Sequence, residues 1–461
     1  MLLVAALAGA VWVSFQAQNP VREVSLLVTG GTVVTVDGNR AIFDPGAVAV
    51  DGPNIVAVGA AADITRRFSG RDRIDATGSV VIPGLINTHT HAPMVLYRGL
   101  ADDLALTDWL QRYIFPAEAK TVSREMVRAG TRLAVLEMIG SGTTAFADMY
   151  YFEEEIARVA KAAGMRAVPG QTIIRFPVPD AKTPADGLIR AEAFIKEFQH
   201  DDLIVPAVGP HAMYTLDAKS LLASKALANK YGVPVLIHFA ETAFELKTSE
   251  AEHEMTPTRY LDSIGFWGPR TVAAHGVWVT SADMPILRKY GVAISHNPES
   301  NMKLASGTAP VPGFMGAGIT VGLGTDGAAS NNDLDMFEAM RQAALLHKLQ
   351  TGDPRVIPAP VALEMATIAG ARSLGLDSII GSLEPGKRAD LAIVSMASAR
   401  QTPLYDPVSH LVYTTRGDDV RTVVINGRVV MRDRKMLTLD ETAVLAEARK
   451  MAESVRAAVA R

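Results

Sequence analysis

His89, His91, His211, His238, His275 and His296 each stand directly after a short apolar run, and Asp326 follows another in Gly322-Leu323-Gly324-Thr325-Asp326-Gly327. A repeated unit of apolar strand followed by one polar, ligand-type side chain is what a barrel of parallel strands presents when its strand ends converge on one ion. His89 and His91 are two positions apart, which puts both imidazoles on the same side of a strand. With His238 after Val233-Pro234-Val235-Leu236-Ile237 and Asp326 after the last run, the set offers three nitrogens and one carboxylate. That sphere leaves a place for water, as a hydrolytic zinc needs. The chemistry expected is that of a metallohydrolase.

The fourth run, Ala207-Val208-Gly209-Pro210-His211, carries no lysine where a carbamylated bridge would hold a second ion, so one divalent metal is expected. Zinc is favoured; iron is compatible with the same donors. Glu241, three residues after His238, can pass a proton between water and a ring nitrogen or leaving group. Its plainer reading is a solvated acid on the first turn of the next helix. His275 either orients the attacking water and stabilises developing charge or is a core histidine bonded to backbone. His211 either contacts substrate or caps its strand. His296, Asn297 and Ser330 lie in polar loops that can support ligand carboxylates, with structural support of the loops the stronger reading. His200, His253, His347 and His410 read as surface or packing residues.

Composition narrows the field. With 461 residues, 48% hydrophobic and 20% charged, the chain can bury a large core, as two domains or as one barrel with an accessory unit. A net charge of -4 gives no electrostatic footprint for nucleic acid. The absence of cysteine excludes zinc fingers, thiol nucleophiles, iron-sulfur clusters and disulfides. Residues 1–13 are apolar and lead into Ser14-Phe15-Gln16-Ala17-Gln18-Asn19-Pro20, which resembles an export signal without its basic start. The run is short for a membrane span. Export or tethering through residues 1–17 is the expectation, with a misassigned start or a buried strand, and a cytoplasmic protein, as the alternative.

The elements that must position these residues are legible in the punctuation. From Val24 to Val58, β-branched runs are separated by Gly30-Gly31, Asp37-Gly38 and Asp51-Gly52, each read as a hairpin turn. A matching set, Ala389-Asp390-Leu391-Ala392-Ile393-Val394 and Thr422 to Val430 around Asn426-Gly427, returns near the other end. Between them, strand-like and helix-like stretches alternate, with strand ends expected near Ile86, Ala147, Thr172, Gly209, Ile237, Ala274, Ser295 and Gly324. The fold expected is α/β: a (β/α)8 TIM barrel over 83–382, with a small β-sandwich built from both termini, 21–82 plus 383–440. Residues 441–461 read as a C-terminal surface helix.

Pro83-Gly84-Leu85-Ile86-Asn87-Thr88-His89-Thr90-His91, with His238-x-x-Glu241, His275, His296-Asn297-Pro298 and Gly324-Thr325-Asp326-Gly327, resembles the amidohydrolase superfamily. The likeness is greatest to its branch of 5-methylthioadenosine/S-adenosylhomocysteine deaminases and triazine hydrolases. It implies His89, His91, His238 and Asp326 as metal ligands, Glu241 as proton shuttle and His275 as the group orienting water. It further implies Glu118 on the ribose hydroxyls, Trp109 lining the pocket and His211 on the purine ring. One departure stands out: Gln171 occupies the third strand end, where the homocysteine-accepting pattern has arginine, and Arg175, four residues on, is the candidate substrate-binding substitute. A neutral thioether nucleoside is thus expected ahead of S-adenosylhomocysteine. The function implied is hydrolytic deamination of an amino-purine nucleoside with release of ammonia. The alternatives are hydrolysis of another carbon-nitrogen or carbon-chlorine bond on a triazine, pterin or pyrimidine, and a non-catalytic metal- or ligand-binding protein. Water and a small heterocycle are the expected partners, and the chain is expected to form a homo-oligomer.

Overall fold

The structure, a computed structural model, describes residues 21–459. The expected export or tethering segment lies outside them. Among the described residues, no helix is long and apolar enough to cross a membrane.

Eight strands pair in parallel, in chain order: Leu85–Thr90, Thr143–Asp148, Arg166–Ile173, Ala207–Pro210, Val235–Phe239, Thr271–His275, Ala293–His296 and Val321–Leu323. They are the expected barrel strands, called first to eighth below. All are buried along their length, as strands covered by helices outside and packed side chains inside must be. The eighth meets the first without a full ladder. There the Asp326 amide donates to the His89 carbonyl at 3.0 Å and the Thr88 hydroxyl to the Leu323 carbonyl at 2.9 Å. The seam that closes the barrel therefore also joins two of the expected ligand positions.

Helices between strands are bounded by ordinary local chemistry. Arg124–Gly140 is capped by the Ser123 hydroxyl, and Pro184–Phe198 starts with a capping box from Thr183 and Asp186. Ala218–Tyr231 is capped by Asp217 and stops at Gly232 in a left-handed conformation. Glu441–Val459 is the expected terminal helix. It rests on the barrel through Val444, Ala448 and Val455 and an Arg132–Glu447 ion pair.

The remaining strands make two sheets whose apolar faces share one core, including Leu26, Val48 and Ile74 from one and Val33, Val81 and Leu391 from the other. Chain from both ends contributes: Leu391–Ser395 lies antiparallel to Ser79–Pro83 in the larger sheet. Asp51-Gly52 and Asn426-Gly427 are hairpin turns as expected. Gly30-Gly31 is not. Arg22–Thr29 belongs to the four-stranded sheet and Thr32–Val34 to the seven-stranded one. Two glycines there let the chain cross between layers: a Cβ on Gly31 would lie 2.7 Å from the Ala76 carbonyl oxygen.

Candidate metal centre and active site

Strand ends bring the expected ligands to one point. His91 Nε2 lies 3.3 Å from Asp326 Oδ1 and 3.2 Å from His238 Nε2, and His89 Nε2 lies 3.5 Å from the same Asp326 oxygen. Donors bonded to one tetrahedral zinc at about 2.0–2.1 Å stand roughly 3.3 Å apart, so these separations fit one ion. The backbone contributes strain to the arrangement: Asp326, His275 and Ala240 all have positive φ, at 65°, 74° and 47°.

Hydrogen bonds fix the imidazole tautomers. His91 Nδ1 lies 2.5 Å from the Met149 carbonyl and His238 Nδ1 lies 2.9 Å from the His211 carbonyl. A carbonyl can only accept, so each Nδ1 carries the proton and each Nε2 turns a lone pair to the centre. His89 Nε2 is buried without a hydrogen-bond partner. An orphaned buried nitrogen facing a carboxylate and two imidazoles is the donor set a divalent cation satisfies. Burial opposes charge on His91, but Asp326 outweighs it and raises the imidazole to about 9, while Asp326 is held well below the usual carboxylate range. The site thus favours positive charge, and a cation can replace that proton. His89 and His238 are pushed well below the ordinary histidine range, first by burial and then by neighbouring imidazoles.

Ser300 and Ser330 hydroxyls donate to Asp326 Oδ2 at 2.6 and 3.0 Å, orienting the carboxylate. Glu241 is buried beside His275, whose Nε2 is 3.8 Å from Glu241 Oε2. Burial raises the Glu241 carboxyl, the direction that suits a proton carrier near neutral pH. Its backbone amide is pinned by Glu245 Oε2 at 3.0 Å. His275 Nδ1 meets Asn301 Oδ1 at 2.9 Å, which leaves its Nε2 free to accept from water.

His91, Trp109, Glu118, His211, Glu241 and His275 are among the walls of one cavity of about 70 Å³. Trp109 and Glu118 arrive on the segment that follows the first strand, Trp109 in a π-helical turn Trp109–Ile114 and Glu118 in Phe115–Thr121. Burial raises Glu118 to about 7. Through Leu106, Leu110, Phe115 and Tyr214 the cavity shares walls with an outer chamber of about 560 Å³ that holds Arg175.

One expected position, His296, does not reach the site, and Gln171, the departure at the third strand end, is turned away as well. His296, read as a supporting group for the ligands, pairs instead with His347, Nε2 to Nε2 at 3.1 Å, both rings fully buried. Successive side chains on a strand alternate in face: Ser295 turns inward to Thr88, so His296 turns outward to the helix Met336–Thr351 rather than to the ion. Gln171 is also buried, with its amide on Asp180 at 2.9 Å. Asn297 does contact His275 Nδ1, at 3.3 Å. Ser300 and Asn301 were not singled out from sequence. Their loop, Asn297 to Lys303, was visible as polar, but nothing local shows which carboxylate or imidazole each side chain will meet.

Residues 80–430 match the sequence profile of the amidohydrolase family. The chain belongs to the amidohydrolase family. Among amidohydrolase relatives, a 5-methylthioadenosine/S-adenosylhomocysteine deaminase of Syntrophus aciditrophicus is 45% identical over 434 residues, covering 94% of this chain and 98% of that protein. A 5'-deoxyadenosine deaminase of Methanosarcina mazei is 43% identical, covering 94% and 99%. A solved adenosine deaminase from Xanthomonas campestris with bound zinc superimposes with a TM-score of 0.93 at 38% identity, over 95% of this chain and 100% of that one. Atrazine chlorohydrolase from Arthrobacter aurescens, complexed with zinc, follows at 0.87 and 26%, over 93% and 100%.

Proposed function

We propose that this amidohydrolase is a zinc-dependent hydrolytic deaminase of adenine nucleosides, acting on the carbon-nitrogen bond of a cyclic amidine. The convergence of His91, His238, Asp326, Glu241 and His275 on one cavity, with His89 grouped beside them as a ligand, carries the reading. Its relatives' names supply the substrate class.

The four ligands would hold one divalent metal, which supplies the Lewis acidity that makes water nucleophilic near neutral pH. Glu241 takes the proton of the attacking water and delivers it to the purine nitrogen beside the carbon under attack. His275 accepts the water's remaining hydrogen bond at Nε2 and so aims its lone pair at that carbon. Addition of water and protonation of the ring nitrogen break the ring's aromaticity. Glu241 then takes the remaining proton from the added hydroxyl and gives it to the exocyclic amine, which leaves as ammonia as the carbonyl forms and the ring's aromaticity returns. His211, whose ring lies 4.8 Å from that of His238, borders the space for the purine, with Trp109 as an apolar wall. Glu118 accepts from the ribose hydroxyls.

Arg175 borders the outer chamber, where a 5' substituent would extend, and Gln171 offers it nothing. With no arginine at the third strand end, neutral 5'-methylthio and 5'-deoxy nucleosides are favoured over one ending in an amino acid; turnover of the latter would assign its carboxylate to Arg175. The same machinery suits a triazine, pterin or pyrimidine, and the chlorohydrolase likeness makes that the second arm of the test. Purified protein with measured zinc content should release ammonia from 5'-methylthioadenosine or 5'-deoxyadenosine. Turnover of a triazine or pterin with no adenine nucleoside consumed would overturn the nucleoside reading. We also propose a homo-oligomer, checked by light scattering, to which exposed Leu349 and Tyr405 offer apolar contact.

A further inference from the structure

The turn that leaves the second strand, Asp148 to Glu153, is held by more buried charge than a connecting turn needs. Asp148 and Glu153 are almost wholly buried, and no lysine or arginine pairs with either among the described residues. Asp148 Oδ1 accepts from the Ala92 amide at 2.5 Å, and Glu153 Oε1 from the Tyr150 amide at 2.6 Å. Their other oxygens, Asp148 Oδ2 and Glu153 Oε2, have no partner from any donor group, yet the two side chains are within hydrogen-bonding reach of each other. Buried in one turn without a basic partner among the described residues, the two carboxyls oppose each other's charge, and burial pushes Glu153 well above the ordinary carboxylate range.

What the pair grips is the frame of the metal centre. Ala92 directly follows the ligand His91, and the turn's own Met149 carbonyl receives the His91 Nδ1 proton. One carboxyl thus fastens the backbone behind His91, and its partner fastens the turn that fixes His91's tautomer and ring direction. Farther along the same turn, Asp180 accepts from the Phe152 amide at 2.8 Å, and Phe152 itself has φ of 54°. The turn cannot relax on that side. Buried backbone amides need acceptors, but a backbone carbonyl or serine would serve. Two carboxyls buried in the same turn instead tie the Ala92 and Tyr150 amides to one stiff point behind His91.

We propose that Asp148 and Glu153 form a positioning pair that sets His91 for metal binding. Neither touches the ion or the substrate; they act through His91. The inference rests on His91 as a ligand and is independent of the substrate.

The test is zinc affinity, measured by competition with a chromophoric chelator on the full chain, beside thermal unfolding of the metal-free protein. Glu153→Gln keeps an oxygen for the Tyr150 amide and an N–H for Asp148, and should bind zinc within about threefold of the parent. Glu153→Ala removes both bonds and should weaken zinc by about 10–100-fold, the usual effect of losing an outer hydrogen-bond partner. Glu153→Met, close in volume and without hydrogen-bonding atoms, replaces the alanine variant should that fail to fold. Parent-like affinity in the alanine or methionine variant would overturn the proposal. So would equal losses in these and in Glu153→Gln, because the amide would then have failed to rescue. Loss of zinc from a His91→Ala control confirms that the assay reads this centre; an unaffected control would refute the ligand assignment instead.

Discussion

Each residue at the centre has a separable task, because the groups that hold the ion are not the groups that move protons. Glu241→Gln keeps the volume of the side chain and leaves the ligands alone. It should retain zinc by elemental analysis while kcat falls by about 10²–10⁴, the range lost with a general acid-base group. Glu118 can be tested in two ways. Glu118→Ala should raise KM for nucleosides by about tenfold or more and leave a free base such as adenine unchanged, since only the ribose would lose its acceptor. The pH dependence follows from burial, which raises Glu118 to about 7. The carboxylate accepts two hydroxyls and the acid accepts less well, so KM for a nucleoside should fall as pH rises through about 7, and Glu118→Gln should flatten that profile. The same raised value works against folding in the other direction: charge on Glu118 costs stability as pH rises from the ordinary carboxylate range through 7. The ligands were legible in the sequence because each lies at or just past the end of a barrel strand, His89 and His91 sharing the first. Ser300, Asn301 and Asp148 were not, because their partners Asp326, His275 and Ala92 are remote in sequence and polar residues in loops carry no periodic mark.

At the scale of elements, the barrel strands could be read from apolar runs closed by one polar residue, and seven end near the expected positions. The first, expected to end near Ile86, begins at Leu85 and runs to Thr90, because the apolar run before it, Ser79–Pro83, joins the seven-stranded sheet. The sandwich was read correctly as built from both termini but misread at Gly30-Gly31, since a glycine pair marks a sharp backbone change without saying whether the next strand pairs with the last or crosses to another sheet. The segment after the first strand was legible only by resemblance. In the structure it bears Trp109 and Glu118 and is fastened across the mouth of the site, where Lys303 from the seventh strand's loop pairs with Asp102 and also meets Asn332 at 2.8 Å. An exposed pair of this kind contributes little to global stability, about 0–1 kcal/mol. Its value lies in holding the segment down. Asp102→Ala should therefore leave the unfolding midpoint within about 2 °C while raising KM several-fold, and cleavage between residues 98 and 121 under limited proteolysis should quicken; a large drop in stability with unchanged KM would contradict this.

Barrel and terminal sheets are joined by more than apolar packing, and that junction sets how far an event in one is felt in the other. Arg166, in the third barrel strand, reaches Asp390 beside the sandwich strand Leu391–Ser395, with Nε 3.0 Å from Oδ2 and both side chains nearly inaccessible. Asp390 Oδ1 also accepts the Asn426 amide at 2.7 Å at a hairpin turn, and Arg166 Nη1 reaches the Asp202 carbonyl at 2.8 Å. Removing one partner of such a pair strands the other charge in the interior, so Asp390→Ala should lose about 3–5 kcal/mol in urea unfolding. Replacing both by apolar residues of similar volume, Arg166→Met with Asp390→Leu, should recover a good part of that loss, because no charge is then left unpaired. Neither change touches the ligands, which sit at the opposite, C-terminal ends of the strands. Zinc affinity of the folded double variant should accordingly match the parent, while chelation of zinc from the parent should lower its midpoint by linkage, since the metal binds the folded chain and not the unfolded one. A double variant that folds well yet binds zinc poorly would mean that the two ends of the barrel are mechanically coupled, contrary to a rigid packed interior between them.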